Sequence, residues 1–119
     1  MELMKKKIRR GEIWLTRMSP AVGAEIKKTR PVLVISNDIN NALAPLITVL
    51  PIGNIGKKIY PMEIYIKQGQ FGLKKDSKVR CQQIRTVDKQ RLVQFIGKVD
   101  PAVLEEAKDS LLLHLGFIV

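Results

Sequence analysis

The run Pro31-Val32-Leu33-Val34-Ile35-Ser36 is apolar without a break over its first five residues and rich in β-branched side chains. Such a run, too short for a helix of ordinary length, reads as a buried strand. Pro31 stands at its first position, where a missing N–H is tolerated. Asn37-Asp38 then offers a cap for a short helical turn over 39–44, which Pro45 stops.

Upstream of this run, residues 12–18 read as a first strand, broken by Ser19-Pro20 and Gly23, with a loop over 19–30. Downstream, residues 46–52 form another strand, with Pro51 suggesting an edge or a bulge near its end. Residues 53–58 read as a basic loop and 62–67 as a half-exposed, alternating strand. Residues 69–77 are a turn region. Residues 78–84 then read as a strand, with Arg80, Gln82 and Ile84 on one face. The segment 86–92 reads as a helical turn capped by Thr86 or Asp88, and 93–99 as a last strand. Asp100-Pro101 is an N-cap followed by proline at the first helical position. Leu104, Ala107, Leu111 and Leu115 repeat at helical spacing, and Gly116 suits the position just past the helix. Short strands, small helices and one C-terminal helix predict a compact, barrel-like α+β domain.

The chain has 119 residues, enough for one domain. We divide it into a basic arm over 1–9 and a single domain over 10–119. Apolar residues are 45%, enough to build a core, and no apolar run approaches the ~20 residues of a membrane span. No apolar stretch follows Lys5-Lys6-Lys7, so no secretory leader is expected. The lone Cys81 cannot form an internal disulfide, and with the lone His114 it supplies too few ligands for a zinc centre. A cytoplasmic location and no cofactor are the expectations. The net charge is +10, and it is unevenly placed. Residues 1–98 carry 20 basic and 7 acidic side chains, whereas 99–119 carry Lys108 against four acids. The basic body predicts a polyanionic partner, nucleic acid or an acidic protein.

Four segments together resemble the MazF/PemK family of bacterial toxins. They are Arg10-Gly11-Glu12-Ile13-Trp14-Leu15, the stretch from Ser19 through Glu25 and on from Thr29 to Asp38, Asp76-Ser77, and Gln83 through Leu92. The resemblance spans about residues 9–118. It implies a small SH3-like β-barrel of the CcdB/MazF type, with five to seven strands, short helices and a C-terminal helix. It further implies a homodimer that cuts single-stranded RNA at short sequence motifs without a metal, leaving a 2′,3′-cyclic phosphate and a 5′-hydroxyl. An acidic antitoxin of the MazE/PemI type would block the RNA groove, and DNA would be met only through that complex.

Arg30 matches the family's catalytic arginine before proline. A guanidinium stays protonated, so its clearest role is to clamp the crowded phosphate. The family's second catalytic position carries a Ser or Thr, and an ungapped alignment places it on Gly53, which has no hydroxyl. The backbone N–H groups of Gly53 and Asn54 can still meet phosphate. Thr48 is five residues away and falls on the opposite strand face. Arg80 matches a phosphate-contacting arginine of the PemK branch, where the following pattern has an acid; here that place is Gln82. Glu25 is a base or a holder of Arg30. Lys27, Lys28, Thr29, Asn54, Lys57, Lys58 and Gln82 complete the expected RNA contacts, the lysines supplying salt-dependent affinity. Trp14 is expected in the core. Cys81 is expected as an inert buried thiol and His114 as structural.

The departures at 53 and 82 motivate a second reading, a weak or inactive relative that still binds RNA or antitoxin. A third reading is a DNA gyrase poison like the related toxin CcdB. Its Trp-Gly-Ile ending is replaced here by Gly116-Phe117-Ile118-Val119.

Overall fold

Val32 and Val34 pack into one apolar cluster while Leu33, between them, packs into another, which is why this strand shows no alternation. A computed structural model describes residues 6–18 and 29–118. The elements are β1 (Glu12–Arg17), β2 (Thr29–Val34), α1 (Asp38–Leu43), β3 (Leu46–Asn54), β4 (Glu63–Ile66), β5 (Ser77–Arg80), β6 (Arg85–Asp88), β7 (Leu92–Lys98) and α2 (Pro101–His114). The strands form one antiparallel sheet in the order β4-β5-β3-β2-β1-β7, with β6 also paired to β3. One face buries Ile13, Leu33, Leu50, Ile52, Ile64 and Val79 against Val103 and Ala107 of α2. The other buries Trp14, Val32, Val34, Ile47, Val49 and Leu92.

This is the small α+β fold expected, with strand number at the upper end, but the sheet is not a closed barrel. Its ends, β4 and β7, share no ladder. The gap is bridged instead by the 3-10 turn Gln70–Gly72, which lies on β7. A Cβ on Gly97 would stand 2.1 Å from the Phe71 carbonyl oxygen, and one on Gly72 would stand 2.4 Å from that of Ile96. Only glycines allow backbones to approach this closely. Phe71 itself adopts a left-handed conformation, φ 53°.

Three element expectations need correction, and one edge of β3 explains them all. That edge pairs with β6 through Leu46–Val49 and with β5 through Ile52–Asn54. So Gly53-Asn54 is strand, where a loop was expected. The chain must leave β5 to reach β6, and it does so through a 3-10 turn over Cys81–Gln83. The expected strand over 78–84 therefore stops at Arg80. Arg85–Asp88 is strand and not helix, because an open edge of β3 outweighs local propensity. The helical turn survives only over Lys89–Arg91, where Asp88 does cap it. Pro51 falls where this edge passes from one partner to the other, and so removes no ladder bond there.

The helix ends follow the expectations. Asn37 caps α1 and the Asp100 carboxylate caps α2, accepting from the Val103 N–H at 3.1 Å. Gly116 has φ +81°, and the N–H groups of Gly116 and Phe117 donate to the Leu113 and Leu112 carbonyls, closing the helix. The expected apolar stripe is shorter than read: Leu115 is 54% exposed. No described helix is long and apolar enough to cross a membrane.

Candidate functional site

Arg30 is the second residue of β2 and faces Thr16 of β1. The β2–β3 register pairs Val32 with Pro51. Carried two residues further, it places Arg30 beside Gly53. Gly53 in turn pairs with Lys78, and Lys78 with Tyr65. One step along the strands, Arg80 pairs with Glu63. Strand alternation therefore puts Arg30, Gly53, Lys78, Arg80 and Glu63 on one face of the sheet.

Three buried side-chain atoms among the described residues have no hydrogen-bond partner: Arg30 Nε, Arg80 Nε and Gln82 Oε1. Buried polar groups are almost always paired, and each orphan costs roughly 1–3 kcal/mol. All three belong to residues expected to touch RNA. Two orphaned donors on guanidinium groups suit an anion, and one orphaned acceptor suits an N–H or O–H.

Beside Gly53, on the same face, lies a buried ion pair. Lys78 Nζ stands 3.0 Å from Glu63 Oε1, with the side chains 5% and 1% exposed. Lys78 also donates to the Lys58 carbonyl at 2.8 Å. The Tyr60 N–H donates to Glu63 Oε1, and Gln82 Nε2 donates to Glu63 Oε2, each at 2.8 Å. Burial pushes the Glu63 carboxyl up. The hydrogen bonds from Tyr60, Gln82 and Lys78, with the Lys78 charge, outweigh it and hold the group below its ordinary value. This network ties the β3–β4 connection to the sheet face, and Lys58 Nζ lies 4.8 Å from the Tyr60 ring centre.

A cleft of about 520 Å³ opens at the ends of β2, β3 and β5, lined by Arg30, Gly53, Asn54, Lys74, Lys75 and Ser77. Phe95 of β7 forms part of its opposite wall and is half exposed. It meets the Trp14 ring edge-on at 5.8 Å. The cleft thus offers positive charge beside an exposed aromatic surface, the two parts of a single-strand binding groove. A larger hollow of about 660 Å³ beneath the N-terminal segment holds none of the expected site residues, and its lysines are mixed with Asp38 and Asp88. No cluster of three or more potential metal ligands occurs among the described residues.

Arg30, Gly53 and Asn54 therefore come together as expected. Thr29 is exposed opposite Arg17. Lys57 and Lys58 are exposed in the β3–β4 connection. Arg80 and Gln82 do not share a strand face, because the chain turns at Cys81; Glu63 is what links Gln82 to the site. Glu25, Lys27 and Lys28 lie outside the described residues. Trp14 is core, its Nε1 donating to Glu12. Cys81 is fully buried. Glu63, Lys78, Lys74, Lys75 and Ser77 were missed as site residues. One signal for Glu63 and Lys78 was present: opposite charges on two segments both read as strand.

A family model for the PemK-like, MazF-like toxin of type II toxin–antitoxin systems matches residues 9–115. The endoribonuclease MazF9 of Mycobacterium tuberculosis is 39% identical over 113 residues, covering 91% of this chain and 96% of that protein. The endoribonuclease EndoA of Bacillus subtilis is 37% identical over 112 residues, covering 93% and 97%. Among solved structures, MazF from Deinococcus radiodurans superposes with a TM-score of 0.82 at 24% identity, covering 94% of this chain and 99% of that one. A mycobacterial endoribonuclease in complex with its cognate antitoxin superposes at 0.77 with 19% identity, covering 94% and 98%.

Proposed function

The chain belongs to the PemK-like, MazF-like family of type II toxin–antitoxin toxins, and we propose that it is an endoribonuclease cutting single-stranded RNA at Arg30. The observation that carries the reading is the buried, unpartnered Arg30 Nε–H at the mouth of a basic cleft. In this reading the 2′-hydroxyl attacks the adjacent phosphorus and the bond to the 5′-oxygen breaks. The 2′-proton passes to solvent and the leaving oxygen takes a proton, giving a 2′,3′-cyclic phosphate and a 5′-hydroxyl. Arg30 stabilises the charge that builds on the phosphorus oxygens, where a preorganised donor is worth most. Arg80, two strands away, offers a donor to a neighbouring phosphate, and Gly53 and Asn54 line the approach.

The excess of positive charge supports two competing partners, RNA and an acidic antitoxin. A relative of the same fold is known bound to its antitoxin. We assign this chain the same kind of partner, with a homodimer as the working assembly, contact with DNA only through the antitoxin complex, and the cytoplasm as the site of action. Neither the inactive-relative reading nor the gyrase-poison reading is favoured, since the sequence relatives are named endoribonucleases.

The test is incubation of antitoxin-free protein with a long RNA of mixed sequence, with Arg30→Ala in parallel and the new ends mapped. Cyclic-phosphate ends from wild type and none from the variant are expected. No cleavage by wild type at any sequence would sink the proposal.

A further inference from the structure

Gln82 carries a buried acceptor without a partner, and its neighbour decides which way that acceptor faces. Its Nε2 donates to Glu63 Oε2 at 2.8 Å, while Oε1 is orphaned. Turning the amide over would set its carbonyl oxygen against a carboxylate, two acceptors with no proton between them. Glu63 cannot turn away either, because Oε1 is held by Lys78 Nζ and the Tyr60 N–H. The same contacts keep its carboxyl ionised near neutrality. Gln82 therefore has a single polarity: its acceptor is the end left for a ligand.

We propose that Gln82 reads one base of the RNA, its Oε1 accepting a hydrogen bond from a base N–H, and that Glu63 is the positioning residue that sets this polarity. The inference rests on the endoribonuclease reading of the site. A phosphate has no proton to give and would be repelled by Oε1, so the backbone is the wrong ligand for this atom. A 2′-hydroxyl both donates and accepts, so it needs no amide of fixed polarity. A base edge does distinguish donors from acceptors, and single-stranded RNA exposes that edge. Arg80, paired with Glu63 on the same face, stands two strands from Arg30, about 10 Å at ordinary strand spacing. Gln82 is bonded to Glu63 of β4, three strands from Arg30 on β2, so the group it meets is not the phosphate held at Arg30.

The test maps cleavage motifs on mixed-sequence RNA for wild type, Gln82→Met and Glu63→Gln/Lys78→Met, each checked by thermal melting. Gln82→Met removes the acceptor at nearly constant shape. It should weaken the base preference at one motif position by about tenfold and leave the others unchanged. In the double variant, the amide introduced at position 63 still accepts from Tyr60 and turns an N–H toward Gln82, with no buried ammonium left unpaired. Gln82 must then turn over and present its own N–H. The preference at that same position should move from bases with a donor to bases with an acceptor. Glu63 in a purely structural role predicts no such inversion.

Wild-type motifs in both variants, or an even loss of cleavage at all sequences, would overturn the proposal. A loosened motif in Gln82→Met with the wild-type preference kept in the double variant would overturn the role of Glu63. Where a variant fails to melt cooperatively, Gln82→Asn or Glu63→Gln alone is read in its place. Absence of cleavage by wild type is a different outcome, and it falls on the proposed function.

Discussion

Gly53 and Lys78 are directly opposed in the β3–β5 ladder, and Gly53 sends no side chain into the space between Lys78 and Arg30 on the two flanking strands. The family resemblance implies a Ser or Thr hydroxyl at this position. Gly53 does not have the positive φ that would demand glycine, so a β-branched residue suits its place in the strand. Gly53→Thr should raise the single-turnover cleavage rate about tenfold or more, the scale of one well-placed proton-transfer group. It should also raise the melting temperature slightly, since glycine costs strand stability. An unchanged rate at wild-type motifs would show that the reaction here does not draw on a hydroxyl at this position.

Arg30 sets function against stability. Its buried Nε–H has no partner, so the folded state bears roughly 1–3 kcal/mol for keeping it. Arg30→Met keeps much of the packing and removes the orphan. The variant should melt at or above the wild-type temperature while cleavage falls by about a hundredfold or more. Loss of both stability and activity would mean that Arg30 is held by the fold and not reserved for a ligand.

The difference between what could and could not be read ahead of the structure follows one physical line. Local chemistry was legible: the two-faced burial of Val32, Leu33 and Val34, the Asn37 and Asp100 caps, and the Gly116 stop all act within a few residues. Arg30 was legible because it sits in one continuous motif, and Gly53 and Asn54 because an alignment carried from it without gaps reaches them. Pairing partners were not legible. Arg85–Asp88 is a strand only because β3 has a free edge there, and Gln82 leaves its expected face only because the chain must cross from β5 to β6. Glu63 and Lys78 look like solvated charges on separate strands until the register sets them together.

That pair gives the sharpest stability prediction. Removing one partner leaves a buried charge alone, so Glu63→Ala should cost about 3–5 kcal/mol in chemical denaturation. Replacing both groups, as in Glu63→Gln/Lys78→Met, should cost far less. The pH dependence follows from the lowered carboxyl value. Glu63 contributes stability that is fully present above its ordinary value of 4.5 and lost as pH falls through the lower folded value. The acid limb of a melting-temperature profile should therefore be steeper in wild type than in the double variant. Superimposable acid limbs would remove Glu63 from the account.

Cys81 lies at the turn that carries the chain out of β5, and burial pushes its thiol up to about 11. The thiolate is the reactive form, so native protein at pH 8 should resist a thiol reagent under conditions that label denatured protein fully. The raised value works opposite to that of Glu63. Cys81 stabilises the fold below the ordinary thiol value of 9.0, and the contribution is lost as pH rises toward 11. Rapid labelling of the folded protein would place Cys81 at a surface.

Gly97 tests whether an open sheet is held together where its ladder is missing. A Cβ there would stand 2.1 Å from the Phe71 carbonyl oxygen, a contact with backbone that no side-chain rotation relieves. Gly97→Ala should therefore push the Gln70–Gly72 turn off β7 and destabilise the protein by about 3 kcal/mol or more, well above the usual cost of a surface substitution. The turn also leads into Lys74 and Lys75 of the basic cleft. Amide exchange should accordingly quicken in Gly97→Ala both at β4 and along the cleft wall, at sites far apart in sequence. A wild-type melting temperature in Gly97→Ala would mean that β4 and β7 are held by the rest of the sheet alone.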